Sequence, residues 1–267
     1  MSTLELEHIK HADLASGNNI SLTSAGNVGI GVTPETDWHS GVDALQLGTG
    51  ASIYGDTTPT GNQISANARA TVGSALNGYK YIATDKASTY QQYDGVHNFR
   101  VAASGSADAA ITWTTGFEVL NDGKARAKNG LLFGTDTAAT NTLDDYEEGT
   151  WTGTLTNVAG SVSNTSYTKI GRLVYVTGHL VCTATATGDV QINGLPYAQK
   201  PSSNGIGTCM NYLVNVAGGS TYNFSTYLTG SGLRFYRSED NSAWLWAGAS
   251  SLYSGAQILF NLTYQTT

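Results

Sequence analysis

Polar turns that carry glycine interrupt this chain roughly every ten residues, and the apolar runs between them are only about four to six residues long. From Gly78 the runs "YKYIAT", "STYQQY", "HNFRVAA", "AITWTT" and "FEVLNDGKARAKNGLLFG" are separated by "DG", "SGS" and "NDG". Such spacing predicts short strands joined by tight turns, because glycine supplies the turn backbone at no steric cost and β-branched or aromatic side chains fill a pleated surface. The chain has 32 Gly and 15 Tyr but only 4 Pro, and charged residues make up 12%, about half the usual share. Aromatic content with so little charge excludes a disordered chain. The fold class expected is all-β.

The N-terminal part reads as hairpins. In "ISLTSAGNVGIGVTP", Ile20 and Leu22 alternate with polar residues, "SAGN" turns the chain, and Val28, Ile30 and Val32 alternate again. "VLNDGKA" echoes "LTSAGNV": apolar residues, a polar turn with glycine, then continuation. The "GIG" has no third glycine, and Pro34 stands where a helix should begin, so the dinucleotide fingerprint fails. Residues 3–15 hold the one plausible helix, yet Leu4, Leu6, Ile9 and Leu14 do not repeat at 3.6 and suit a strand equally well. That segment reads as one that binds something rather than folding alone. Strands as short and glycine-rich as those of residues 36–142 bury little surface in a monomer. Intertwined or stacked copies of the same chain are the simplest supply of partners.

Charge changes abruptly along the chain. Residues 1–148 carry 17 acids and 8 Lys or Arg, whereas residues 149–267 carry 3 acids and 5 Lys or Arg. The stretch "TDTAATNTLDDYEEGTW" lacks apolar periodicity and is expected to be a linker whose acids keep it extended and wet. Beyond it lie "TWTGTLT", "YTKIGRLVYVTGHLVCTAT", "DVQINGL", "IGTCMNYLVNV", "TYNFSTYL", "LRFYR", "AWLWAG" and "AQILFNLTY". In the last, Ala256, Ile258, Phe260, Leu262 and Tyr264 share one face, with Leu259 alone breaking the pattern. Roughly eight strands predict a C-terminal β-sandwich, jelly-roll-like, over residues 149–267. Trp151 is expected to open its core. The remaining boundaries are an N-terminal segment at 1–35 and a β-rich middle region at 36–142.

Few residues suggest covalent chemistry. Asp144, Asp145, Glu147 and Glu148 are crowded beside a Trp, as a glycosidase would need, but a catalytic pair must face one cleft at about 5–10 Å. No Ser/His/Asp ordering stands out, and the five His are scattered. His179 is expected to be an ordinary strand histidine; His8 and His11 are spaced to meet on one helix face, where a metal around a symmetry axis is a remote option. Cys182 and Cys209 form no CxxC and read as buried free thiols. Hence no catalytic residue, metal site or cofactor is expected. No basic run suits nucleic acid, no apolar run approaches the roughly 20 residues of a membrane span, and "MSTLELEHIK" lacks the pattern of a signal peptide. A binding surface is the better candidate. Trp244 and Trp246 stand at i and i+2, on one face of a strand, near Tyr236 and Arg237. Aromatic faces stack on sugar rings, and arginine bonds hydroxyls. The competing reading puts these aromatics in a core or an interface between copies.

"DYEEGTWTGTL", "YTKIGRLVYVTGHL" and "INGLPY" resemble a C-terminal module of bacteriophage tail fibres and related virion proteins. That module reads D-Y-E-E-G-T-W-T-P, Y-T-K-I-G-R-x-V-x-V and G-L-P-F. Here Gly153 replaces the proline and Tyr197 the phenylalanine. "YIATDKASTYQQYDGVHNFRVAASGSADAAITWT" and "GNVGIGVTP" are similar to stretches of the same class of protein. The resemblance implies a homotrimeric virion component, with 1–35 as an attachment segment and 36–142 as a trimeric shaft. Its N-terminus, with Leu4, Leu6, Ile9 and Leu14, would attach to another virion protein in the phage tail. Its tip would bind host surface polysaccharide without covalent chemistry. A head fibre or decoration protein without receptor binding is the alternative, and a polysaccharide depolymerase a more remote one.

Overall fold

In the computed structural model, the described residues are 8–9, 20–56, 61–71, 78–215, 223–230, 232–238, 240–249 and 251–267. The expected all-β architecture is what they form: among them the single helical element is a 3₁₀ turn at Ala139–Asn141. The chain divides into two compact units, Met1–Asn129 and Gly130–Thr267.

The first unit contains β1 (His8–Ile9), β2 (Ile20–Leu22), β3 (Val28–Ile30), β4 (Val42–Leu47), β5 (Ala51–Asp56), β6 (Gly61–Ala66), β7 (Ala68–Ala70), β8 (Tyr79–Tyr81), β9 (Asp85–Tyr93), β10 (Val96–Gly105), β11 (Thr114–Val119) and β12 (Ala125–Ala127). Ten of these make one sheet in the order β1-β2-β3-β4-β5-β6-β9-β10-β11-β12. Among the described residues, only β3–β4 of this sheet is a parallel pair. The β7–β8 ribbon packs over one face, closing a core of Trp38, Val42, Tyr54, Tyr79, Tyr81 and small side chains. From the ribbon, Arg69, 2% exposed, donates to Asp37 at 2.8 Å and to the Tyr81 carbonyl at 3.0 Å and pairs with Asp108. Lys80 reaches Asp37 at 2.9 Å.

The two turns that echo one another in sequence are the same turn. In β2–β3 the Gly26 N–H donates to the Thr23 carbonyl and the Thr23 N–H to the Asn27 carbonyl, both at 3.0 Å. In β11–β12 Gly123 and Leu120 repeat this, with the Lys124 carbonyl as acceptor, at 2.9 and 2.8 Å. Gly26 and Gly123 take φ +87° and +84°, values that side chains resist, so the glycine fixes the turn. The segment expected to stand apart as an attachment region therefore supplies three strands to this sheet. Ile9 takes the register position opposite Ile20, while Leu4, Leu6 and Leu14 lie outside the described residues.

The second unit contains β13 (Tyr146–Gly149), β14 (Thr154–Thr156), β15 (Gly160–Ile170), β16 (Leu173–Cys182), β17 (Gln191–Asn193), β18 (Gly205–Tyr212), β19 (Ser225–Thr229), β20 (Gly232–Arg237), β21 (Leu245–Trp246) and β22 (Gln257–Gln265). They follow the path β13-β15-β16-β22-β18-β19-β20-β17-β14, with β21 added on β20. The path curls: β14, last in order, comes back against β15. Two facing layers thus enclose one core. β22 shows why, since Ile258, Phe260, Leu262 and Tyr264 are buried while Leu259, the exception in the pattern, is exposed. Val174, Val176, Leu180 and Cys182 meet them from β16, and Leu233 and Phe235 from β20. Gly178 lies opposite Phe260, where a Cβ would come within 2.4 Å of the ring.

The acidic stretch is not a wet linker. Residues 130–149 belong to the second unit, Leu131 bridges to Leu143, and Tyr146–Gly149 is an edge strand paired along β15. Mutual repulsion of the acids is overcome by partners distant in sequence. Asp145 pairs with Lys169, which is buried, and the Tyr197 hydroxyl donates to Glu147 at 2.5 Å.

Candidate functional site

The sequence G-L-R-F-Y-R of β20 alternates with a period of two. Leu233, Phe235 and Arg237 point into the core, whereas Arg234 and Tyr236 point outward. Arg237, expected among the binding residues, is thus a core-side group at 6% exposure, and its Nη1 donates to the buried Ser251 Oγ at 3.3 Å. Arg234 takes the outward position instead.

Trp246 on β21 lies opposite Tyr236 in register, their rings 5.6 Å apart and nearly perpendicular. Trp244 stands beside them, 6.4 Å from Tyr236 and 6.0 Å from Tyr227. Tyr227 from β19 completes the cluster, 5.5 Å from Tyr236. Trp244 is 62% exposed and Trp246 40%, so the structure brings both expected tryptophans together with Tyr236 on the surface. The core-residue reading does not hold for either Trp.

Arginine and amides flank the rings. The Arg234 guanidinium lies 4.7 Å from the Trp246 ring centroid, and its Nε and Nη2 both donate to Gln191 Oε1, at 3.1 and 2.9 Å. Gln191 Nε2 donates to Asn193 Oδ1 at 2.5 Å, and Asn193 Nδ2 to Thr156 Oγ1 at 3.0 Å. Tyr227, Arg234, Gln191 and Thr156 are successive register partners, so one row crosses four strands. Tyr227 also donates to Asn204 Oδ1 at 2.9 Å. This surface offers apolar ring faces beside amide and guanidinium groups locked in place by one another. Chemically, ring faces of this kind can cover apolar C–H groups while the amides and guanidinium can bond hydroxyls. Period-two reading alone would have selected Arg234; Tyr227, Gln191 and Asn193 enter only through register between distant strands.

The acidic motif forms a structural corner. Glu147 and Glu148 are adjacent in an edge strand and project to opposite faces, so they do not converge on one cleft. Glu148 accepts from Tyr146. Lys169 sits 5.2 Å from the Tyr197 ring centroid, Tyr167 and Tyr197 rings are 5.5 Å apart, and the Gly171 N–H donates to the Asp145 carbonyl at 2.8 Å. "DYEEG", "YTKIG" and "GLPY" therefore meet in space. Trp151, 6% exposed, packs against Phe260 and donates its Nε1–H to the Thr177 carbonyl at 3.0 Å.

His179 and the two cysteines sit in ordinary strand environments. His179 Nε2 lies 3.0 Å from Gln257 Oε1. Burial pushes the Cys209 thiol up to about 12 and raises that of Cys182. Among the described residues no group of three or more His, Cys, Asp or Glu is placed to hold a metal ion, and no helix is long and apolar enough to cross a membrane.

No family model and no curated protein matches the chain. Among solved structures, the chain is similar to the Dettilon tailspike protein gp208, at 14% identity and a TM-score of 0.37; the match covers 47% of this chain and spans 25% of that protein.

Proposed function

We propose that the protein is a virion fibre component of the phage-tail class whose C-terminal unit binds host surface polysaccharide without cleaving it. The observation that carries this reading is the exposed surface of Trp244, Trp246 and Tyr236, with Arg234 held over Trp246 by Gln191. Tryptophans left 62% and 40% exposed lose hydrophobic stabilisation that burial would supply, and a stacking ligand restores it. Arg234 adds a fixed cation and donors that suit an acidic or hydroxyl-rich glycan. The resemblance of "DYEEGTW", "YTKIGR" and "GLPY" to the tail-fibre module supports the virion setting. Several copies of the chain, three in that class, would convert weak single contacts into avid attachment. The N-terminal region would grip another virion protein.

Mechanistically, the surface acts by differential wetting. A sugar ring lies flat on Trp246, covering apolar C–H groups, while its hydroxyls replace water around Arg234, Gln191 and Asn193. No proton or bond is transferred. Incubating the purified full chain with an array of bacterial capsular and lipopolysaccharide glycans tests this. Saturable capture of at least one glycan, with no new reducing ends, is expected. Release of reducing ends would replace binding with hydrolysis, and capture of none would remove the receptor reading.

A further inference from the structure

The sheet of the first unit carries apolar side chains on both faces, one covered and one open. On the face under the β7–β8 ribbon, Gln46, Ser52, Gln63, Thr89, Gln91 and Asn98 are all buried. On the opposite face, successive register partners across six strands are Leu45, Ile53, Ile64, Tyr90, Phe99 and Phe117. Four of them, Ile53, Ile64, Phe99 and Phe117, are exposed. A soluble sheet ordinarily buries its apolar face and wets its polar one; here the covered face mixes these polar groups with Val42, Ala44, Tyr54, Ala87 and Ala102, while the open face also carries large apolar side chains.

A neighbouring row on the same open face runs through Ile30, Leu47, Ala51, Ala66, Ser88 and Val101. Neither row contains a charged side chain. With Leu22 added, eight large apolar side chains of this face are between 37% and 55% exposed. Side by side they make one contiguous apolar patch, and monomeric soluble proteins rarely expose one larger than a few hundred Å².

We infer that this face is covered by the same face of further copies of the chain. The occupant follows from the shape and the absence of charge. The large side chains form a ridge, and the small ones at Ala51, Ala66 and Ser88 leave beside it an open groove of about 670 Å³. A ridge of one copy seats in the groove of another, so the face is complementary to itself. Two uncharged rows, each crossing six strands, suit a partner of the same neutrality, which a second copy supplies. The inference gives a contact face to the self-association in the proposed function. It rests on the first unit alone, so failure of glycan binding would leave it standing.

Sedimentation of the full chain near 10 μM tests it. The wild type should run as a multiple of its 28.0 kDa chain mass. The double variant Ile64→Lys/Phe99→Lys should fall to the single-chain mass with an unchanged far-ultraviolet circular dichroism spectrum. A monomeric wild type, or a folded double variant of wild-type mass, overturns the inference. Should the double variant unfold, Ile64→Cys treated with a short bis-maleimide decides the matter. Cross-linking between copies there, and not in Asn241→Cys, supports the face; absence of cross-linking at position 64 overturns it.

Discussion

Truncating Trp151 to alanine separates a structural role for the acidic motif from a catalytic one. Trp151 is 6% exposed, packs edge-on against Phe260 with centroids 6.3 Å apart, and satisfies the Thr177 carbonyl at 3.0 Å. Removing a buried Trp costs about 3–5 kcal/mol, and leaving a carbonyl unsatisfied adds about 1 kcal/mol. The second unit should therefore lose about 4–6 kcal/mol, a large share of the roughly 5–15 kcal/mol that holds a domain together. At a urea slope of about 2 kcal/mol per molar, the unfolding midpoint followed by circular dichroism should drop by about 2–3 M. Trp151→Phe keeps a ring against Phe260 but loses the N–H, so its loss should be nearer 1–2 kcal/mol, with glycan binding intact. A loss below about 1 kcal/mol for Trp151→Ala would refute the packing argument.

Three further outcomes are expected. Arg234→Lys keeps the charge but loses the planar contact with Trp246 and the paired bonds to Gln191; glycan affinity measured by titration should fall about 5- to 10-fold, by roughly 1–1.4 kcal/mol, with no change in melting temperature. Acidification should weaken the first unit. Burial alone raises the Asp37 carboxyl, but hydrogen bonds and charge from Arg69 and Lys80 outweigh it and hold it below its ordinary 3.8. The contribution is complete above about pH 4 and is lost as pH falls through the lowered folded value, so melts between pH 7 and 3 should show a slope that Asp37→Asn reduces. The two thiols should resist a maleimide at pH 7.5 until urea unfolds the second unit, because burial disfavours both thiolates and the Cys209 S–H donates to the Phe224 carbonyl at 2.8 Å; labelling of the folded chain at either position would contradict this.

What the sequence discloses is what lies within one strand. The alternation of β22, the exposed Leu259, and the shared hairpin turn of "SAGN" and "NDGK" are all visible locally, because period two and a glycine at positive φ act over a few residues. Arg234 is legible by the same rule, since period two puts it on the face of Tyr236 and turns Arg237 to the core side. What lies between strands is hidden. Four acids in five residues look solvated until Lys169 and Tyr197, 24 and 50 residues from their partners, reach them. The row joining Tyr227, Arg234, Gln191 and Thr156 depends on register across β19, β20, β17 and β14, and no local pattern sets that. The open apolar face of the first unit is hidden for a related reason. Alternation reveals two faces of a strand but not which one the β7–β8 ribbon covers.

The central claim is that exposed aromatics of the second unit hold a glycan. Titrating the wild-type chain and Trp244→Ala/Trp246→Ala with the glycan captured from the array tests it most directly. Loss of two stacking anchors should cost about 2 kcal/mol or more, a weakening of about 30-fold, while the melting temperature stays within a few degrees because Trp244 is 62% and Trp246 40% exposed. Equal affinity of the double variant and the wild type would contradict the account.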